Sequence, residues 1–195
     1  MNYIIKQTTT EKELDTVLEF DLKIFGTRSD APDYSREKWL ERIETYGDLM
    51  LYAESAGEVI GIVFGRVERS VSVTVGPVAV DERFRKCGIA REMMTLLEER
   101  TLRHGIHHLC LGAVESAEGL YEKLGYTGTL LIQSETQSMD ILLSLNTKYR
   151  VHHTSVYGGT INQVYLELPA SDRDLQRKYK QLPGCYTQMV FEKKI

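Results

Sequence analysis

The sequence predicts an α/β (α+β) fold, a mixed central sheet flanked by helices. Three observations lead there. Apolar residues recur at helical spacing in separate stretches, as in Leu14, Val17, Leu18, Leu22 and Phe25. Short runs rich in β-branched and aromatic residues lie between them: "LMLYAES", "EVIGIVFGRV" and "SVTVGPVAV". Glycine-containing turn pairs, Ala56–Gly57 and Gly158–Gly159, separate strand-like runs and mark hairpins.

Taken in order, "NYIIKQ" reads as a short strand. Thr10 and Glu13 have capping-box spacing ahead of the first helix. A second helix is expected from Ser35 through Trp39 and Ile43, followed by the three strand runs. Ile89, Met93, Leu96 and Leu97 form one stripe of the next helix, which ends at His104–Gly105. "HHLCLGAV" is a buried strand. Ala117, Leu120, Tyr121 and Leu124 line a short helix closed by Gly125, and "YTGTLLIQSE" is again a strand. The remainder reads as helix ("TQSMDILLSLN"), strand ("YRVHHTSVY") and strand ("TINQVYLELP"). A helix capped by Ser171 and a closing strand ("YTQMVFEKKI") complete it. From about residue 129 this is the β-α-β-β-α-β order of a ferredoxin-like unit, whose first and last strands should lie side by side. No linker separates it from what precedes, so it is expected to share the central sheet.

Composition narrows the function. The chain has 195 residues, 42% of them hydrophobic and 27% charged, as in ordinary globular proteins. The start carries no basic segment followed by an apolar run. No stretch approaches the roughly 20 apolar residues of a membrane span, so a cytoplasmic location is expected. A net charge of −4 argues against a nucleic-acid partner. Cys87, Cys110 and Cys185 are odd in number and widely spaced, which indicates neither a disulfide framework nor a zinc site. The pairs His107–His108 and His152–His153 are not expected to hold metal, because neighbours on a strand point to opposite faces.

The segment "GPVAVDERFRKCGIARE" carries the chemistry. Pro77 has no N–H to give a ladder and belongs at a bulge or a strand edge. A strand interrupted there leaves backbone groups to be satisfied by something else. Immediately afterwards, N–H groups from Lys86 to Ala90 open a helix and form an anion site with its dipole. Gly88 admits close approach to the backbone, and Arg85 adds charge. A ligand with a diphosphate and an amide-bearing arm suits both halves. Neither GxxxxGK[ST] nor GxGxxG after the first strand is present, so a nucleotide-hydrolysing or dinucleotide site is not expected.

Arg85-x-x-Gly88-x-Ala90 after "VGPVAV" resembles the signature of the GNAT superfamily of N-acetyltransferases, and "AEGLYEKLGY" resembles a second motif of that family. The element order to about residue 135 matches too, so the resemblance covers roughly two thirds of the chain. It implies a GNAT acetyltransferase core over residues 1–135, with acetyl-CoA as co-substrate. The backbone of Val78, Ala79 and Val80 would pair with the pantetheine arm. Arg85, Lys86, Cys87, Gly88, Ile89 and Ala90 would hold the pyrophosphate, and Tyr121 would protonate the departing CoA thiolate. Read from the residues alone, Val78 and Val80 fit a strand core and Tyr121 fits a packed core tyrosine. The family's asparagine seven residues before the tyrosine is Val114 here.

The implied reaction is direct attack of an amine, from a small molecule or a peptide, on the thioester in a ternary complex. The amine must first lose a proton, and Glu68 and Glu115 are the candidate bases. The alternative is a CoA-binding regulatory or scaffold protein without turnover. Residues 136–195 form a helix-hairpin-helix-strand extension, with 186–195 as the last core strand. Its uses include substrate selection, homodimer contacts and protection of a sheet edge.

Overall fold

A computed structural model describes residues 2–26 and 34–195. The chain divides into two compact units, Met1–Leu109 with Lys194–Ile195, and Cys110–Lys193.

The N-terminal unit contains β1 (Ile4–Gln7), α1 (Glu11–Phe25), α2 (Arg36–Tyr46), β2 (Met50–Ser55), β3 (Glu58–Glu68), β4 (Ser72–Val80) and α3 (Ile89–Arg103). Its strands lie in the order β1-β2-β3-β4, each pair antiparallel. The capping box starts α1 as the sequence predicts: Glu13 N donates to Thr10 Oγ1 (3.2 Å), and Thr10 N donates to Glu13 Oε2 (3.0 Å). The apolar stripe of α1 and Trp39 of α2 cover one face of the sheet at Met50, Tyr52, Ile62 and Phe64. The α3 stripe approaches β3 at a residue without a side chain. A Cβ on Gly65 would meet Val73 Cγ1 at 2.9 Å and Leu97 Cδ1 at 3.1 Å.

The β2–β3 turn is Ala56–Gly57, with φ of +50° and +81°. Two left-handed positions match the twist of a two-residue hairpin, but alanine occupies the first at a steric cost. Ala56→Asn is therefore expected to stabilise the protein by about 1 kcal/mol. Thermal unfolding should report a rise in Tm of about 2–4 °C for a chain of this size.

The C-terminal unit holds most of β5 (His108–Ala113), then α4 (Glu118–Lys123), β6 (Thr127–Ser134), α5 (Met139–Ser144), β7 (Val151–Tyr157), β8 (Ile161–Leu168), α6 (Arg173–Lys180) and β9 (Cys185–Lys194). The strand order is β5-β9-β6-β8-β7. As expected, the first and last strands of the terminal segment lie side by side, Leu130 opposite Met189 in an antiparallel pair. The β7–β8 turn places Gly158 and Gly159 at φ +59° and +79°.

Two local expectations are corrected. The N-cap of α6 is Asp172, whose carboxylate accepts from Leu175 N at 2.9 Å. Ser171 is drawn off by Glu122, donating to Oε1 through both N (2.9 Å) and Oγ (2.7 Å). His152 and His153 do not diverge to opposite faces. A register shift between Val151 and His153 breaks the alternation and brings the rings to 5.1 Å. Each ring has its own partner: His152 Nδ1 lies 3.1 Å from Glu167, and His153 stacks on Tyr165 at 4.0 Å.

Candidate functional site

The site begins at a bulge in β4. Val63 pairs with Val78 and Gly65 with Val75, so Gly76 and Pro77 together face the single residue Phe64. Pro77 thus stands where its missing N–H costs no ladder bond. Beyond it, Val78, Ala79 and Val80 pair with Val63, Ile62 and Gly61, and Asp81 N donates to Ile60 O at 2.9 Å. Ala79 is buried in the core while Val78 and Val80 are half-buried.

The turn after β4 divides its cations between two jobs. Asp81, 4% exposed, accepts from Arg83 N at 3.0 Å and pairs with the Arg83 guanidinium at 3.0 Å and Lys23 at 3.4 Å. Arg83 hydrogen bonds hold the Asp81 carboxyl far below the usual carboxylate range. Arg83 also reaches Glu58 at 3.3 Å, so its charge is spent inside the protein. Arg85 and Lys86 are exposed, and Arg85 leans back along the strand, its Nε donating to Val80 O at 3.2 Å.

Lys86 and Gly88 have φ of +61° and +86°, and Gly88 is the N-cap of the fifteen-residue α3 with no side-chain cap bond. The first N–H groups of α3 have no acceptor within the helix. Nothing lies within 4 Å of where a Gly88 Cβ would stand, so the backbone is open to a ligand. Ile89 is 1% exposed and offers only its backbone. Exposed cations, open amides and a helix dipole suit an anion such as a diphosphate, so these residues fit the phosphate-bearing end of acetyl-CoA.

Tyr121 belongs to the C-terminal unit. It is 4% exposed, with its ring 5.9 Å from that of Tyr126 and 5.7 Å from that of Phe191. Burial pushes its hydroxyl up to about 12. Val114, at the position of the family's asparagine, is 62% exposed. The two candidate bases are both held in ion pairs. Glu68 meets Arg66 Nε at 2.5 Å, and Glu115 meets Lys180 at 2.6 Å and Arg173 at 3.3 Å. The Lys180 hydrogen bond lowers the Glu115 pKa and weakens it further as a base. Residues missed in the sequence lie one turn before Tyr121. Glu118 is 2% exposed and meets Arg173 and Gln176 from α6, more than fifty positions away, a distance that no local pattern spans.

Comparison with known proteins follows the same residues. A family model described as an acetyltransferase (GNAT) domain matches residues 18–143. No curated protein matches the chain. Among solved structures, the fold is similar to Naa50 of Arabidopsis thaliana in complex with a bisubstrate analogue, CoA-Ac-MVNAL. That match has a TM-score of 0.60, 13% identity and full coverage of both chains. It is also similar to an N-acetyltransferase from Staphylococcus aureus Mu50 (TM-score 0.54, 18% identity, 87% of this chain and 99% of that one). Ard1 from Thermoplasma volcanium gives a TM-score of 0.53 at 14% identity, over 86% of this chain and 99% of that one. With the family model covering more than half of its length, the chain belongs to the GNAT family of acetyltransferases, and acetyl-CoA is its co-substrate.

Proposed function

We propose that the protein is an N-acetyltransferase that moves the acetyl group of acetyl-CoA to an amine by direct attack in a ternary complex. The observation that carries this reading is the bulged β4 running into an exposed Arg85–Gly88 turn at the mouth of α3. In this reading the backbone of Val78 to Val80 receives the amide-bearing arm. Arg85, Lys86 and the N–H groups from Cys87 to Ala90 hold the diphosphate. Tyr121 is the proposed hydrogen-bond donor to the sulfur as it leaves.

Because Glu68 and Glu115 are committed to cations, the amine sheds its proton to water rather than to a carboxylate. An alkylamine with a pKa near about 10 is then mostly unreactive at neutral pH. The test is mass spectrometry of the protein with acetyl-CoA and a panel of polyamines, amino acids, aminoglycosides and short peptides. An acetylated product is expected, at a rate that rises with pH towards the amine's own pKa. Bound but unconsumed acetyl-CoA across the panel would favour the second reading, a CoA-binding regulatory or scaffold protein. Two observations speak for that reading: Tyr121 is packed in the core at 4% exposure, and Val114 stands in place of an asparagine.

A further inference from the structure

Tyr121 stands on a helix that its own sequence barely holds. α4 has six residues, Glu118–Lys123, fewer than an isolated helix needs to persist in water. Its C-terminal end closes locally. Leu124 N donates to Leu120 O at 3.1 Å and Tyr126 N to Tyr121 O at 3.0 Å, with Gly125 at a left-handed φ of +82°. Its N-terminal end has no such closure. The N-cap is Ala117, which offers no side-chain oxygen to the first N–H groups.

The missing hold comes from residues 171–180, the turn into α6 and α6 itself. Arg173 Nη2 donates to Glu115 O at 2.5 Å, in the turn that leads into α4. Its Nη1 pairs with Glu118 Oε2 at 3.1 Å, and Gln176 Nε2 donates to both oxygens of that carboxylate at 3.2 and 3.3 Å. One turn further along α4, Glu122 Oε1 accepts from Ser171 N and Oγ at 2.9 and 2.7 Å.

These grips bracket Tyr121. Glu118 and Glu122 are four residues apart and share a face of the helix, so two ties one turn apart resist both rolling and sliding. Glu118 is 2% exposed, and a buried carboxylate without its partners is strongly unfavourable, which commits α4 to one seat against α6. Tyr121 follows Glu118 by three residues and precedes Glu122, with its ring against Tyr126 and Phe191. Any roll of α4 carries that ring with it. Every residue in this arrangement belongs to the C-terminal unit.

We propose that Ser171, Arg173 and Gln176 are positioning residues for Tyr121, holding α4 through Glu118 and Glu122 so that the ring keeps one orientation during acetyl transfer. The inference rests on the reading of Tyr121 as donor to the leaving sulfur. It gives α6, part of the addition between β6 and β9, a use that the sequence did not suggest.

Two variants test it. Glu122→Ala removes the exposed tie and installs a better helix former, so Tm should stay within a few degrees. Glu118→Gln with Arg173→Met removes the buried tie without leaving a charge unpaired. With acetyl-CoA and the amine acetylated fastest in the panel, kcat should fall about threefold in the first and about tenfold in the second, with the KM for acetyl-CoA within about twofold of the parent. In a Tyr121→Phe background neither change should lower kcat further, because the group being positioned is gone. A purely structural role would cost the same factor in both backgrounds, and that result, or an unchanged kcat in both variants, overturns the proposal. A second readout needs no turnover. In protein carrying 3-fluorotyrosine, the Tyr121 fluorine line, assigned by its loss in Tyr121→Phe, should move toward that of the free amino acid in the Glu118→Gln, Arg173→Met variant. An unmoved line overturns the proposal whatever the activity. A line that moves in a protein that acetylates no amine sinks acetyl transfer and leaves the hold on Tyr121 standing.

Discussion

Tyr121→Phe is expected to lower kcat about ten- to a hundredfold while leaving the fold intact. The size follows from the hydroxyl's environment. At about 12, it is a weaker acid than a thiol near about 8.5. Full proton transfer to the leaving sulfur is then uphill by roughly 5 kcal/mol at about 1.4 kcal/mol per unit. A hydrogen bond to the developing thiolate needs no such transfer and is worth about 1.5–3 kcal/mol. The hydrogen bond wins, and its loss sets the expected range. The pH profile separates this role from a packing role. The hydroxyl stays protonated through neutral and moderately alkaline pH, so Tyr121 should put no alkaline limb on kcat below about pH 11. The sign for stability runs the other way. A folded pKa raised above the ordinary value of 10.0 gives stability that is complete below pH 10 and lost as pH rises through about 12. The phenylalanine variant, keeping the ring contacts with Tyr126 and Phe191, should therefore resist alkaline unfolding better than the parent. A variant that turns over at the parent rate would show that Tyr121 is only a core ring.

What the sequence made legible was local. The capping box at Thr10 and Glu13, the two hairpin turns and the bulge at Pro77 are each encoded within a few residues, and each stands where the pattern put it. The errors come mostly from partners distant in sequence. Ser171 has a good cap side chain, but Glu122 competes for it, and the cap passes to Asp172. The run "RFRK" reads as one cationic patch, yet the buried Asp81 and exposed Glu58 take Arg83 out of it and leave Arg85 and Lys86 in the turn. Glu118 was illegible for the same reason, since its partners Arg173 and Gln176 arrive with α6, more than fifty positions along the chain. A helix face or a turn obeys a period, whereas side chains brought together by a crossover do not.

At Gly88, the asparagine and aspartate variants should part company in opposite directions for stability and for binding. Both residues tolerate the left-handed backbone better than other side chains, so both should bear a similar cost of about 1 kcal/mol at φ +86°. No neighbour lies within 4 Å of the new Cβ, so neither variant adds a clash. Only charge distinguishes them. A carboxylate at the mouth of α3 interacts favourably with the helix dipole, by about 0.3–1 kcal/mol, so Gly88→Asp should be at least as stable as Gly88→Asn. That same carboxylate occupies the place proposed for a diphosphate and faces Arg85 and Lys86 in its stead. Acetyl-CoA should therefore bind Gly88→Asp at least tenfold more weakly than Gly88→Asn by calorimetry. The gap should narrow in high salt, because the turn is exposed and a screening length of about 8 Å at physiological ionic strength shrinks further. Equal affinities in the two variants would place the phosphates elsewhere. A loss confined to Gly88→Asp, from a protein no less stable, can only be repulsion between like charges at the helix mouth.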